Sequence, residues 1–124
     1  MNFTKLIPNI FYSDISVGLQ LFVNCLQFEI VYNDLKAEDP FCIIKKDNLV
    51  IHLLENKEFA MRDRPEIRLE TDDIEAAYET IFKSYPNLLH PNLNIITSRP
   101  WKTKEFALLD ESGVCVVVQE PLDK

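Results

Sequence analysis

Leu69-Glu70-Thr71-Asp72-Asp73-Ile74-Glu75-Ala76-Ala77-Tyr78-Glu79-Thr80-Ile81-Phe82-Lys83-Ser84-Tyr85-Pro86 decides the fold, because its pattern occurs earlier in the same chain. Ile74, Ala77, Tyr78, Ile81, Phe82 and Tyr85 form one apolar stripe at helical period. Asp72-x-x-Glu75 predicts a capping box at the start, and Pro86 a stop. Fifty-nine residues upstream, Asp14-Ile15 overlays Asp73-Ile74, and Leu19, Phe22, Val23 and Leu26 overlay Tyr78, Ile81, Phe82 and Tyr85. A second amphipathic helix is therefore expected after Ser13-Asp14, with Gly18 and Gln20 on its outer face.

The repeat continues beyond the helices. Phe41-Cys42-Ile43-Ile44-Lys45-Lys46-Asp47-Asn48 overlays Phe106-Ala107-Leu108-Leu109-Asp110-Glu111-Ser112-Gly113 at an offset of 65, and residues 49–53 overlay 114–118. The six-residue difference between the offsets belongs in a loop, and Pro86-Asn87-Leu88-Leu89-His90-Pro91-Asn92 has the composition for it. Each half thus reads as strand, helix and three strands. The strands are expected near 5–12, 28–34, 40–46 and 48–55, then 65–71, 93–99, 104–110 and 113–120. Asp47-Asn48 and Ser112-Gly113 supply the hairpin turns. Alternation turns Ile67, Leu69, Ile51 and Leu53 toward the helices and Glu66, Arg68, Glu70, Val50, His52 and Leu54 away from them. The expected class is α+β: two tandem βαβββ modules, 1–56 and 64–124 of a single domain, forming a curved mixed sheet with helices on one face and a cleft on the other.

Composition narrows the function. The chain has 124 residues, 47% of them apolar and 27% charged, enough to bury about two thirds of its unfolded surface in one domain. Thirteen basic against twenty acidic side chains give a net charge of −7, five and eight in residues 1–60 and eight and twelve in 61–124. No basic face is available for a phosphate backbone, so nucleic acid is excluded as a partner; the acidity favours cationic small molecules. No apolar run reaches membrane-spanning length. Cys25, Cys42 and Cys115 are odd in number, lie in apolar surroundings and lack Cys-x-x-Cys spacing. They are read as reduced packing residues in the cytoplasm. Cys115 has no nearby His, and its run Val114-Cys115-Val116-Val117-Val118 would raise a thiol pKa, which argues against a nucleophile.

Ile10-Phe11-Tyr12-Ser13-Asp14-Ile15, the stretch 69–78 and Glu105-Phe106-Ala107-Leu108-Leu109-Asp110-Glu111-Ser112-Gly113 after Pro100-Trp101 resemble the vicinal oxygen chelate superfamily. That superfamily includes glyoxalases, bleomycin and fosfomycin resistance proteins and extradiol dioxygenases. The likeness spans nearly the whole chain and is greatest to the bleomycin-resistance branch, where a Trp precedes Glu-Phe-Ala-Leu and an Asp-Pro-x-Gly-Asn turn. Here Glu111 and Val114 replace the Pro and Asn of that turn. The resemblance implies a homodimer, with ligand grooves where subunits meet and an aromatic side chain from the Trp101 region packing on the ligand. In metal-using members it also implies a divalent ion held by one residue on the first and fourth strand of each module. Those positions fall at Ile7, His52, Glu66 and Val117, so only His52 and Glu66 are candidate metal ligands. Two hydrocarbon side chains out of four leave too few donors for a catalytic ion.

Six residues are therefore candidates for ligand binding. Trp101 sits in no apolar alternation and suits stacking on a ligand, or packing at a dimer seam. His52, in an apolar strand, reads first as a hydrogen-bonded half-buried residue and second as a ligand-binding one. Glu66 and Glu70 either are solvated strand residues with Arg68 between them compensating their charge, or line an acidic pocket suited to an amine or guanidine, and Arg99 more often finds a local acid than an anionic ligand. Phe59 and Met61 lie in the charged connection 56–65, where they suggest a loop closing over a cleft or a neighbour. The reading that follows is a binding protein that sequesters a small molecule, cationic and aromatic, antibiotic-like, with no cofactor. The alternative is a metal-dependent lyase, isomerase or dioxygenase using His52 and Glu66.

Overall fold

A computed structural model describes residues 1–122 and divides the chain into two compact units, Met1–Asp63 and Arg64–Lys124. The first contains β1 (Asn9–Tyr12), α1 (Ile15–Leu19, continued by a π-helical stretch Gln20–Cys25), β2 (Glu29–Asp34), β3 (Phe41–Lys46), β4 (Leu49–Glu55) and α2 (Lys57–Arg62). The second contains β5 (Glu66–Glu70), α3 (Ile74–Ser84), a 3-10 turn Pro86–Leu88, β6 (Thr97–Arg99), β7 (Thr103–Leu109) and β8 (Cys115–Pro121). Each unit is a four-stranded mixed sheet, ordered β1-β4-β3-β2 and β5-β8-β7-β6. First and last strands of each module pair in parallel and the rest antiparallel, which is the βαβββ module twice over.

The strands follow the alternation. Ile51 and Leu53 of β4 and Cys42 and Ile44 of β3 are buried, while His52 is half-buried on the opposite face. In the second unit Phe106, Leu108, Val116 and Val118 form the core on the helix side, with Phe106 edge-on to Tyr78 of α3 at 5.1 Å between centroids. Two strands fall short of expectation by four residues each. Pro8 carries no N–H for a ladder, and its carbonyl instead accepts from His52 N before β1 begins at Asn9. The expected strand 93–99 reduces to Thr97–Arg99, because Pro91, Asn92 and Asn94 break the ladder into separate bonds, such as Ala107 N to Leu93 O.

The helices bring four corrections. The cap of α3 is Asp73, which accepts from Ala76 N at 3.1 Å, one residue later than the predicted box, and Glu75 turns outward to Lys104 at 2.6 Å. Gly18, expected outside, is buried against the Tyr12 ring, where any Cβ would collide. The π-helical stretch shifts the phase, so that Leu21 and Cys25 enter the core with Ile15 and Phe22. Residues 56–65, expected as a loop, include α2, capped by the Asn56 side chain on Phe59 N at 3.0 Å.

One feature of the repeat is visible only in three dimensions. Ile15 N donates to the Glu55 carboxylate at 3.0 Å, and Ile74 N to Glu120 at 2.9 Å. The end of each module's last strand thus holds the start of its own helix, satisfying an amide that no helical carbonyl can reach. Replacing the nearly buried Glu120 with Ala should cost about 1–3 kcal/mol by orphaning that amide, with helix α3 losing amide-exchange protection first.

Candidate functional site

The sheet face of the second unit that points away from α3 carries the site. Residues alternate onto it from three strands: Glu66 and Arg68 from β5, Cys115 and Val117 from β8, and Glu105 and Ala107 from β7. Arg99 adds a side chain from β6, and His90, Asn92 and Leu93 come from the loop beside β7. Together with Trp101 they enclose a cavity of about 230 Å³.

Trp101 reaches this place through turn geometry. Arg99 pairs with Thr103, leaving Pro100, Trp101 and Lys102 as a three-residue hairpin tip. Lys102 takes a left-handed φ of 64° and donates its amide to Arg99 O. Proline followed two residues later by a left-handed position suits this tip. The indole is 58% exposed, and its Nε1 donates to Glu105 Oε2 at 2.8 Å.

Glu105 is the centre of the site. Its side chain is 1% exposed, and Oε2 accepts from Trp101 Nε1, from Thr103 Oγ1 at 2.7 Å and from Arg68 Nη1 at 2.9 Å. Arg99 Nε lies 3.6 Å from Oε1, too far for a hydrogen bond, and the Arg99 guanidinium carbon stands 5.7 Å from the Trp101 ring centre. Burial alone pushes the Glu105 carboxyl up, but the hydrogen bonds from Thr103, Trp101 and Arg68, with the charge of Arg68, hold it below its ordinary value. One ionised carboxylate therefore sets the orientation of an indole and a guanidinium at once. Arg68 also donates to Gln119 Oε1 at 3.0 Å and approaches Glu66 at 3.9 Å.

The cysteine here is not activated. Burial and the neighbouring Glu66 both raise the Cys115 thiol, while burial alone takes Cys25 up to about 11. His90 Nδ1 accepts from Asn92 N at 3.0 Å, which leaves its Nε2 as the protonated nitrogen of the neutral ring.

Four sequence candidates, Trp101, Glu66, Arg68 and Arg99, line this one cavity. The other two belong to the first unit. His52 stands edge-on to Phe41 at 5.4 Å, and Phe59 packs on Phe11 at 5.1 Å beneath the Arg62 guanidinium. Phe59 thus sits on a short helix bound to its own module. Met61 is 80% exposed. Among the described residues no three His, Cys, Asp or Glu side chains converge as a metal-binding group. Sequence reasoning missed Glu105 and gave His90 and Asn92 no role. The available signal for Glu105 was an acid in phase with Thr103 and Ala107 at the start of the apolar run Phe106-Ala107-Leu108-Leu109.

This sheet order and repeat are shared with solved structures across almost the full chain. TioX from Micromonospora sp. ML1 superposes with a TM-score of 0.76 at 10% identity, covering 96% of this chain and 99% of that one. The bleomycin-binding protein from bleomycin-producing Streptomyces verticillus, complexed with copper(II)-bleomycin, gives 0.71 at 19% identity, covering 95% and 96%. The bleomycin resistance determinant encoded on transposon Tn5 gives 0.71 at 18%, covering 96% and 98%. The chain thus has the same fold as these bleomycin-binding and bleomycin-resistance proteins. No protein-family model and no curated protein sequence matches it. Among the described residues no helix is long and apolar enough to cross a membrane.

Proposed function

We propose that this protein binds a small, flat organic molecule and sequesters it without chemical change, as an antibiotic-binding protein does. The observation that carries the reading is Trp101: an indole 58% exposed to solvent yet tied to a buried carboxylate, beside an open cavity of about 230 Å³. A fixed aromatic face loses little entropy on stacking. The bleomycin complex on the same fold supports a drug-like ligand, and bleomycin itself is a reasonable first probe.

A metal-free site fits these residues better than a metal centre. Val117 stands where the resemblance asks for a donor, and the Glu66 carboxylate lies 3.9 Å from a guanidinium that would compete with a cation. The charge of the ligand is less one-sided than composition suggests, since the two carboxylates of the cavity face two arginines. Bleomycin or a fused-ring compound should raise the melting temperature of the wild type, by about 2.7 kcal/mol of added stability at a hundredfold excess over Kd. Trp101→Ala should abolish the rise, and the compound should be recovered with unchanged mass. A rise with zinc, nickel or manganese that disappears in His52→Ala would instead support the metal-dependent enzyme.

We also propose that the protein is a cytoplasmic homodimer. Val31 and Tyr32, more than half exposed on the edge strand β2, are apolar groups that an association would cover. Light scattering at micromolar concentration should give twice the chain mass of 14.5 kDa. A value of one chain mass would exclude the dimer.

A further inference from the structure

Arg99 is set apart among the charged groups of the cavity by what it lacks. The other arginine of the lining, Arg68, donates to Glu105 and Gln119. The side chain of Arg99 is 33% exposed, its Nε is buried with no hydrogen-bond partner, and its contact with Glu105 is a 3.6 Å ion pair. Glu105 meanwhile directs three of its hydrogen bonds to other groups, all on Oε2. The Arg99 guanidinium carries rigid paired donors of the shape that matches a planar oxyanion, and it lies beside the indole ring. On the same lining stand the His90 ring, whose Nδ1 is taken by the Asn92 backbone N–H so that Nε2 is its donor, and the side-chain amide of Asn92. Glu66 stands on β5, across the sheet from β6, and is already compensated by Arg68.

We infer that the ligand is a planar aromatic acid, its ring stacked on Trp101 and its carboxylate held by the Arg99 guanidinium with help from His90 and Asn92. This rests on the binding reading above and specifies its ligand class. It reverses the sign of charge that the net of −7 suggests, because Oε2 of the carboxylate nearest the ring already accepts from three of the protein's own donors and the side chain is 1% exposed. Arg99 is then a specificity-determining residue, and Glu105 a positioning residue acting through Trp101.

The chain has one tryptophan, so its indole N–H gives a single, assignable proton–nitrogen resonance. Three probes of one shape separate the possibilities: 2-naphthoate, 2-naphthalenemethanol and 2-naphthylmethylammonium, titrated to millimolar concentration at low salt. We expect all three to move the indole resonance, with naphthoate bound about ten- to a hundredfold more tightly than the ammonium, the range for a charge-assisted hydrogen-bonded contact. Arg99→Gln should remove that preference, bringing naphthoate to the affinity that the same variant shows for the alcohol. Arg99→Lys, keeping charge without the fork, should recover only part of it. Tighter binding of the ammonium to the wild type, or a preference for naphthoate that survives Arg99→Gln, would overturn the inference while leaving the site standing. No movement with any probe would remove the site and the inference together. Naphthyl phosphate as a fourth probe tells whether the oxyanion is carboxylate or phosphate: tighter binding than naphthoate would overturn the carboxylate assignment.

Discussion

Glu105→Ala should lower the melting temperature by on the order of 10 °C and abolish ligand binding together. The carboxylate is 1% exposed, and its removal leaves the Trp101 indole N–H, the Thr103 hydroxyl and one arm of Arg68 without their acceptor. Breaking a buried ion pair from one side costs about 3–5 kcal/mol; Arg68 is 43% exposed and keeps Gln119 as a partner, so the lower end applies. The indole, released from its hydrogen bond, should also show a red-shifted and broader emission. Glu105→Gln keeps the shape and loses the charge, and it isolates the electrostatic part. Because folding lowers the Glu105 pKa, its stabilisation is fully present above the ordinary glutamate value of 4.5 and is lost as pH falls through the lower folded value. The wild type should therefore lose stability in that acid window, and Glu105→Gln should lose less. An unchanged melting temperature in the alanine variant would mean that the hydrogen bonds around Glu105 contribute nothing net.

The second large effect lies one residue along the same strand and on its other face. Phe106 is fully buried, stands opposite Val118 in the ladder and meets Tyr78 of α3 edge-on at 5.1 Å. Phe106→Ala removes most of a ring from a close-packed layer and should cost about 3–5 kcal/mol, including the cavity left behind. Below its melting temperature the variant should still show the wild-type indole resonance and the wild-type ranking of ligands, since none of the groups around Glu105 has moved to the helix side. The two substitutions thus separate a loss of folding from a loss of site. A changed ligand ranking in Phe106→Ala would show that the core layer sets the site geometry after all.

The modules were legible because their signals are local: apolar stripes, aspartates before helices and hairpin turns, all repeated at two offsets. Where the reading went wrong, the cause was a departure from regular geometry. A straight 3.6-residue period places Gly18 outside, but the chain needs its missing Cβ to seat the Tyr12 ring and then widens to a π-helical turn. Asp72 and Asp73 are equally good caps on paper, and only the path of the chain selects the second. Trp101 stood out as an aromatic residue with no place in an alternation. Glu105 did not, because its meaning depends on Arg68 from β5 and Trp101 from the β6–β7 hairpin, neighbours that no window of sequence contains together. The charge balance of the site, two carboxylates against two arginines, was hidden for the same reason, since counting charges along a chain takes no account of which ones meet.

Glu55 and Glu120, each fastening the helix of its own module, carry a consequence for how one scaffold can hold unlike surfaces. All that defines the module, its ladder, its apolar layer and this carboxylate latch, is wired through the helix side. The opposite face is under no such constraint, and the two copies have used that freedom differently. In the first, Tyr32, Phe41 and His52 lie ring against ring; in the second, the equivalent surface is a lattice of charge around one hidden acid. The two modules share one frame and differ on their open sides, one aromatic and one ionic, so the frame leaves the chemistry of that side to a few residues.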